Sequence, residues 1–180
     1  MILGMIGMLA LIWMAPSVPG VKVGQKARDF QLESLSTSTQ RPVSLNQLNG
    51  KVVLLDFWAT WCEPCRVELP ELDRLQKKYA REKFVVLAVN VDNQAETARA
   101  FLAKYNIRLL ALWDRNKTVV STYDVQRMPS CYLIDANGKV RFIHYGFAED
   151  YIKAYENEIE LLLGEISRDS DAAAGTPAGR

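Results

Sequence analysis

The chain opens on an unbroken apolar run, Met1 to Ala15, and then changes to shorter apolar blocks whose period alternates between strand and helix. Residues 29–34 alternate as a half-buried strand does, and 41–45 suit a partner strand. Residues 51–58, KVVLLDFW, are apolar on both faces, the pattern of a buried central strand. From Glu63 to Arg81 the period becomes helical, with Leu69, Leu72, Leu75 and Tyr79 as the apolar stripe and Pro70 expected to kink it. A second buried strand follows at 83–91, KFVVLAVNV. Asn93 and Glu96 have the spacing of a capping box for a helix through Tyr105. A short strand at 109–113 and a short helix at 118–123 come next. Residues 131–135 and 139–145 flank Asn137-Gly138, a strong hairpin signal. A last helix runs over 149–163, with Gly164 as the residue that closes it. This order predicts an α/β fold with a parallel centre and an antiparallel edge.

The two ends read differently. The first charged side chain is Lys22, and the apolar run before it is short for a membrane span, which needs roughly 20 residues. Pro16, Ser17, Pro19 and Gly20 then break any helix, so residues 1–22 read as an export segment rather than a buried core helix. Trp13-Met14-Ala15 is a poor cleavage site, which leaves a cleaved signal peptide and a retained membrane anchor both open. Residues 165–180 are small, polar and without apolar periodicity, and read as a disordered tail. The folded domain is thus expected over 23–164. With 22 basic and 21 acidic residues the net charge is +1, and no basic cluster points to nucleic acid.

Three cysteines are an odd number, which excludes a purely structural disulfide framework. Two of them stand in Trp58-Ala59-Thr60-Trp61-Cys62-Glu63-Pro64-Cys65, where a buried strand ends and a helix begins. The positive end of a helix favours a thiolate at Cys62. The spacing puts both sulfurs on one turn, so Cys62 reads as the attacking thiol and Cys65 as the resolving one. Pro64 stiffens that turn where a missing N–H is tolerated. A zinc site wants four ligands, and no second Cys or His pair exists, His144 being the single histidine. Neither a metal nor an organic cofactor is expected. Asp56 interrupts an apolar strand and so needs a buried partner. Glu68 lies one helical turn beyond Cys65. Trp58 is expected in the core, Trp61 on an exposed docking surface and His144 on the hairpin surface. Cys131, on the strand after Pro129, is either a small buried hydrophobe or a third redox thiol able to trap Cys65.

On DFWATWCEPC at 56–65, Pro70, and Met128-Pro129 before SCYLID, the chain resembles the thioredoxin superfamily, and within it the TlpA-like and ResA-like exported thiol–disulfide oxidoreductases. The likeness implies a thioredoxin-like fold: a central mixed β-sheet flanked by helices, with an N-terminal β-hairpin extension matching GQKARDFQLESL. It implies a cis peptide at Pro129, Met128 facing the site, Asp56 beneath the cysteines, and Glu68 as a buried acid. Trp61, Glu63, Pro64, Met128 and Pro129 would then meet the substrate. The Glu63-Pro64 dipeptide looks like the ResA type, implicated in c-type cytochrome maturation. The implied partners are a protein disulfide substrate and a membrane-bound thiol electron donor, in a periplasmic or other extracytoplasmic setting. GQKARDF also resembles peroxiredoxins, but those want a Thr three residues before the reactive Cys, and Thr60 stands two before Cys62. A peroxidase, or a redox-sensing binding module, is therefore the weaker reading.

Overall fold

The computed structural model describes residues 20–36 and 41–174. Positions 1–19 of the expected export segment lie outside the described residues. Along the chain come β1 (Gln31–Ser34), β2 (Val43–Ser44), a single 3-10 turn (Leu45–Leu48), β3 (Val52–Trp58), α1 (Glu63–Lys78) and β4 (Phe84–Asn90). They are followed by α2 (Ala95–Lys104), β5 (Leu110–Trp113), α3 (Thr118–Thr122), β6 (Ser130–Ile134), β7 (Val140–Tyr145) and α4 (Glu149–Ala174). The strands form one sheet in the order β2-β1-β5-β4-β3-β6-β7. β3, β4 and β5 are parallel, whereas β1, β6 and β7 join antiparallel. This is the expected thioredoxin-like sheet with an N-terminal hairpin.

The apolar runs at β3 and β4 take the middle of the sheet because both their faces are covered. Every residue of β3 is buried. Val52, Leu54 and Trp58 meet Leu69, Leu72 and Leu75 of α1 and Tyr155, Ile159 and Leu162 of α4. Val53, Leu55 and Phe57 meet Tyr123, Tyr132 and Leu45 on the other face. Asp56 falls by alternation on the first face, under α1 and α4. Pro70 sits inside α1 without ending it.

Two details depart from the sequence reading, the start of the core and the cap of α2. Val21, assigned there to the export segment, is 4% exposed in the second core cluster, so the core reaches back at least to Val21. A Cβ on Gly20 would stand 2.6 Å from Asp124 Cβ, which explains the glycine. α2 starts after Gln94 with no side-chain cap, and Glu96 pairs instead with Arg99 at 2.9 Å. The capping box forms at Ser44 and Gln47, ahead of the 3-10 turn. The Asn137-Gly138 hairpin forms as expected, with Ile134 paired to Val140 through a register shift and Gly138 alone of the two at positive φ.

The last helix carries the largest correction. Residues 165–174, expected as disordered, continue α4 past Gly164. Leu163 and Ile166 pack on the core, and Arg141 holds Glu165 through two contacts of 2.6 and 3.0 Å. Tertiary packing thus extends the apolar stripe by a turn, and Ala172–Ala174 are strong helix formers. Among the described residues no helix is long and apolar enough to cross a membrane.

Candidate active site

The cysteine pair sits where β3 hands over to α1. Cys62 and Cys65 form a disulfide with Cα atoms 5.3 Å apart. Cys62 caps α1, its Sγ accepting from the Cys65 N–H at 3.3 Å. The free N–H groups of the first helical turn therefore point at the sulfur that must carry negative charge. Pro64 occupies the second helical position, where no intrahelical donor is needed. The approach loop is anchored from below: Asp92 accepts from the Thr60 N–H at 3.2 Å and from its hydroxyl at 3.1 Å. Asp92 is itself buried and held by the Asn90 side-chain amide at 2.9 Å. Sequence reasoning missed it, although an Asp immediately after a buried strand was a visible signal.

The two sulfurs are not equivalent. Cys62 is 6% exposed and lines a groove of about 330 Å³, while Cys65 is fully buried. Trp61, Pro64, Val125, Gln126, Arg127 and Met128 form the rest of the groove. The Met128–Pro129 peptide is cis, and the Pro129 carbonyl accepts from the Gly146 N–H at 2.7 Å. Trp61 is 67% exposed whereas Trp58 is fully buried. Glu63 pairs with Arg66 at 2.9 Å and does not line the groove. Val125, Gln126 and Arg127 were not foreseen, because only the fold brings the loop after α3 beside α1.

A sealed polar cluster is built around Cys131, which shares the core cluster of Cys62 and Cys65. Asp56 of β3 and Glu68 of α1 are both fully buried, and Cys131 of β6 stands opposite Asp56 in the ladder. The Cys131 thiol lies 3.6 Å from Asp56 Oδ1 and 3.5 Å from Glu68 Oε1. The Tyr155 hydroxyl of α4 donates to Glu68 Oε1 at 2.8 Å. Among the described residues Asp56 Oδ2 and Glu68 Oε2 have no hydrogen-bond partner. His144, expected on the surface, is only 15% exposed: it pairs with Glu158 at 2.9 Å and stacks edge-on to Tyr155. Asp56, Glu68 and Cys131 each offer one ligand atom within 4.8 Å of the others. All three are sealed from solvent, so the cation with the easiest route to them is a proton.

Burial governs the charges here. It lifts Asp56 well above the usual carboxylate range, with the Glu68 charge adding to the effect and the Cys131 thiol opposing it. Burial also pushes Glu68 up from 4.5 to about 7, against the hydrogen bonds from Tyr155 and Cys131 and the nearby His144. Cys131 is raised by burial and by both acids, so it stays a thiol. The pair titrates as one coupled group.

From pH 4.5 to about 7 the folded chain keeps a proton on Glu68 that the unfolded chain releases. The stabilisation is complete below pH 4.5 and fades as the pH rises through 7. Its span corresponds to about 3 kcal/mol. Urea unfolding of the oxidised protein should show this decline, and Glu68→Gln should make its slope shallower, leaving the part that Asp56, also raised by burial, contributes. An unchanged slope in that variant would refute the assignment.

The family model described as the AhpC/TSA family matches residues 23–143. The thioredoxin-like protein YneN of Bacillus subtilis is 41% identical over 130 residues, 71% of this chain and 74% of that protein. The thiol-disulfide oxidoreductase ResA of Oceanobacillus iheyensis is 35% identical over 140 residues, 77% and 73% of the two chains. Among solved structures, one assigned as thiol:disulfide interchange protein DsbE from Chlorobium tepidum superposes with a TM-score of 0.75. It is 38% identical and covers 80% of this chain and 99% of its own. With its matched region spanning the sheet, the cysteine pair and the cis-proline loop, the chain belongs to the AhpC/TSA family, among its thioredoxin-like members.

Proposed function

We propose that this thiol–disulfide oxidoreductase works as a reductase of disulfides in exported proteins. The observation that carries the reading is the asymmetry of the pair: Cys62 reaches the groove, and Cys65 is fully buried in the core cluster that also holds Cys131, the thiol in contact with both buried acids. In the reduced protein the Cys62 thiolate attacks one sulfur of a substrate disulfide. A mixed disulfide forms and one substrate thiolate leaves. Cys65 gives its proton to the carboxyl pair and attacks Cys62, releasing the second substrate thiolate and leaving the Cys62–Cys65 disulfide. A membrane-bound thiol donor would return two electrons to that disulfide. The ResA likeness supports substrates in c-type cytochrome maturation, and the apolar run before Val21 supports export or anchoring.

The direction follows from charge. A strong oxidant stabilises its reduced form heavily. Here the buried Glu68, one turn beyond Cys65, and Glu63 beside Cys62 oppose further negative charge, although Arg66 offsets part of the Glu63 charge. The potential is expected near that of thioredoxin, about −270 mV, and insulin reduction should proceed with dithiothreitol as donor. Equilibration with glutathione measures it. A value at or above about −180 mV, that of protein disulfide isomerase, would sink the reductase reading. The peroxidase alternative is weakened further, since the Thr60 hydroxyl is engaged by Asp92.

A further inference from the structure

The Asp56–Glu68–Cys131 cluster poses an accounting problem. Cys131 has one S–H, yet its sulfur stands within hydrogen-bond range of both carboxyls. Tyr155 also has one O–H, and it points at Glu68 Oε1. If Tyr155 serves Glu68, the Cys131 proton is free to serve Asp56. Each acid then has one oxygen held by a fixed donor and one, Asp56 Oδ2 or Glu68 Oε2, without a partner among the described residues. Those two open oxygens are where an arriving proton can sit.

We propose that Cys131 and Tyr155 are positioning residues, which hold Asp56 and Glu68 as a single proton-accepting unit for the resolving step. The proposal rests on the reductase cycle above. Cys131 bridges β6 to β3 and α1, and Tyr155 reaches in from α4, so the unit is fastened from four elements. Neither group loses its own proton during the cycle. Each donates to an acid and thereby favours that acid's ionised form. At neutral pH, Asp56 keeps its proton while Glu68 exchanges, because only Glu68 has the Tyr155 donor. When Cys65 ionises, its proton passes to an open oxygen of the pair and its electron pair attacks the Cys62 sulfur. The groups that face Glu68 are Asp56 on β3, Cys131 on β6, His144 on β7 and Tyr155 on α4, with Cys65 one turn before it on α1. His144 in turn carries Glu158. Cys131 is free and buried, as the small-hydrophobe reading expects; the role inferred here adds to that reading and competes with the redox trap for Cys65.

The test is the pH profile of resolution in the full chain, followed by rapid quench of a Cys62 mixed disulfide with a chromogenic aryl thiol. Removing a donor to an ionised carboxylate raises its pKa by about one unit. Cys131→Ala, which takes its donor from Asp56, should therefore act on the alkaline step, and Tyr155→Phe, which takes the donor from Glu68, should move the midpoint up by about one pH unit. That reads as roughly tenfold slower resolution on the acid limb, with the alkaline plateau kept. Cys131→Ser retains a donor and should return the profile most of the way to wild type. Rates lowered uniformly at every pH would mean a packing role and overturn the proposal, as would unmoved midpoints in both variants. A Cys65–Cys131 disulfide found by mass mapping of the oxidised protein would also overturn it. A wild-type chain that resolves no mixed disulfide would defeat the reductase cycle as well. Normal wild-type resolution with unshifted variants defeats this inference alone.

Discussion

Cys62→Ser is expected to abolish insulin reduction, whereas Cys65→Ser should stop turnover with substrate trapped on Cys62. The two losses differ because the sulfurs differ in place. Cys62 caps α1 and lines the groove, so the thiolate favoured by the helix end is also the one a substrate can reach. A serine there has no accessible anion near neutral pH and cannot start the exchange. Cys65 is sealed, so its removal leaves attack intact and deletes the only nucleophile poised to release the adduct. Intact-mass measurement after mixing with oxidised substrate distinguishes the outcomes: no adduct for the first variant, a stable one for the second. Appreciable turnover by Cys62→Ser, or an adduct through Cys65 in that variant, would overturn the assignment of roles.

Glu68→Gln should slow resolution at least about tenfold at pH 7, and the double variant with Asp56→Asn should slow it by about 100-fold, within the usual range for a lost general base. Glu68 is the group poised to exchange, since burial brings it to about 7. Asp56 is raised well above the usual range and already holds a proton at that pH. Asp56→Asn alone should therefore do less at pH 7 and more on the alkaline side, where the native Asp56 would ionise. Rapid-quench rates on the trapped mixed disulfide read this directly. Unchanged rates in both single variants and in the double would exclude the carboxyls as the acceptor.

Much of this site was legible before any fold was known. The spacing of Cys62 and Cys65 at a strand-to-helix junction, the acid inside KVVLLDFW, and Glu68 one turn beyond Cys65 all stand in local sequence, because helix and strand periods are local properties. The fold class followed from the same periods. What stayed hidden was contact between elements far apart in the chain. Tyr155 lies 87 residues from Glu68, and Cys131 lies 75 from Asp56. No periodicity links such positions; β6 pairing with β3 and α4 packing on both does so. The same reason explains the errors. His144 looked exposed because a hairpin usually is, yet α4 covers it with Glu158 and Tyr155. The helix beyond Gly164 looked too polar to persist, yet Ile166 on the core and Arg141 on Glu165 hold it. Local sequence thus determined which elements form and where the reactive sulfurs stand. Tertiary packing decided which groups share the buried proton, because burial and proximity across the sheet set their charge.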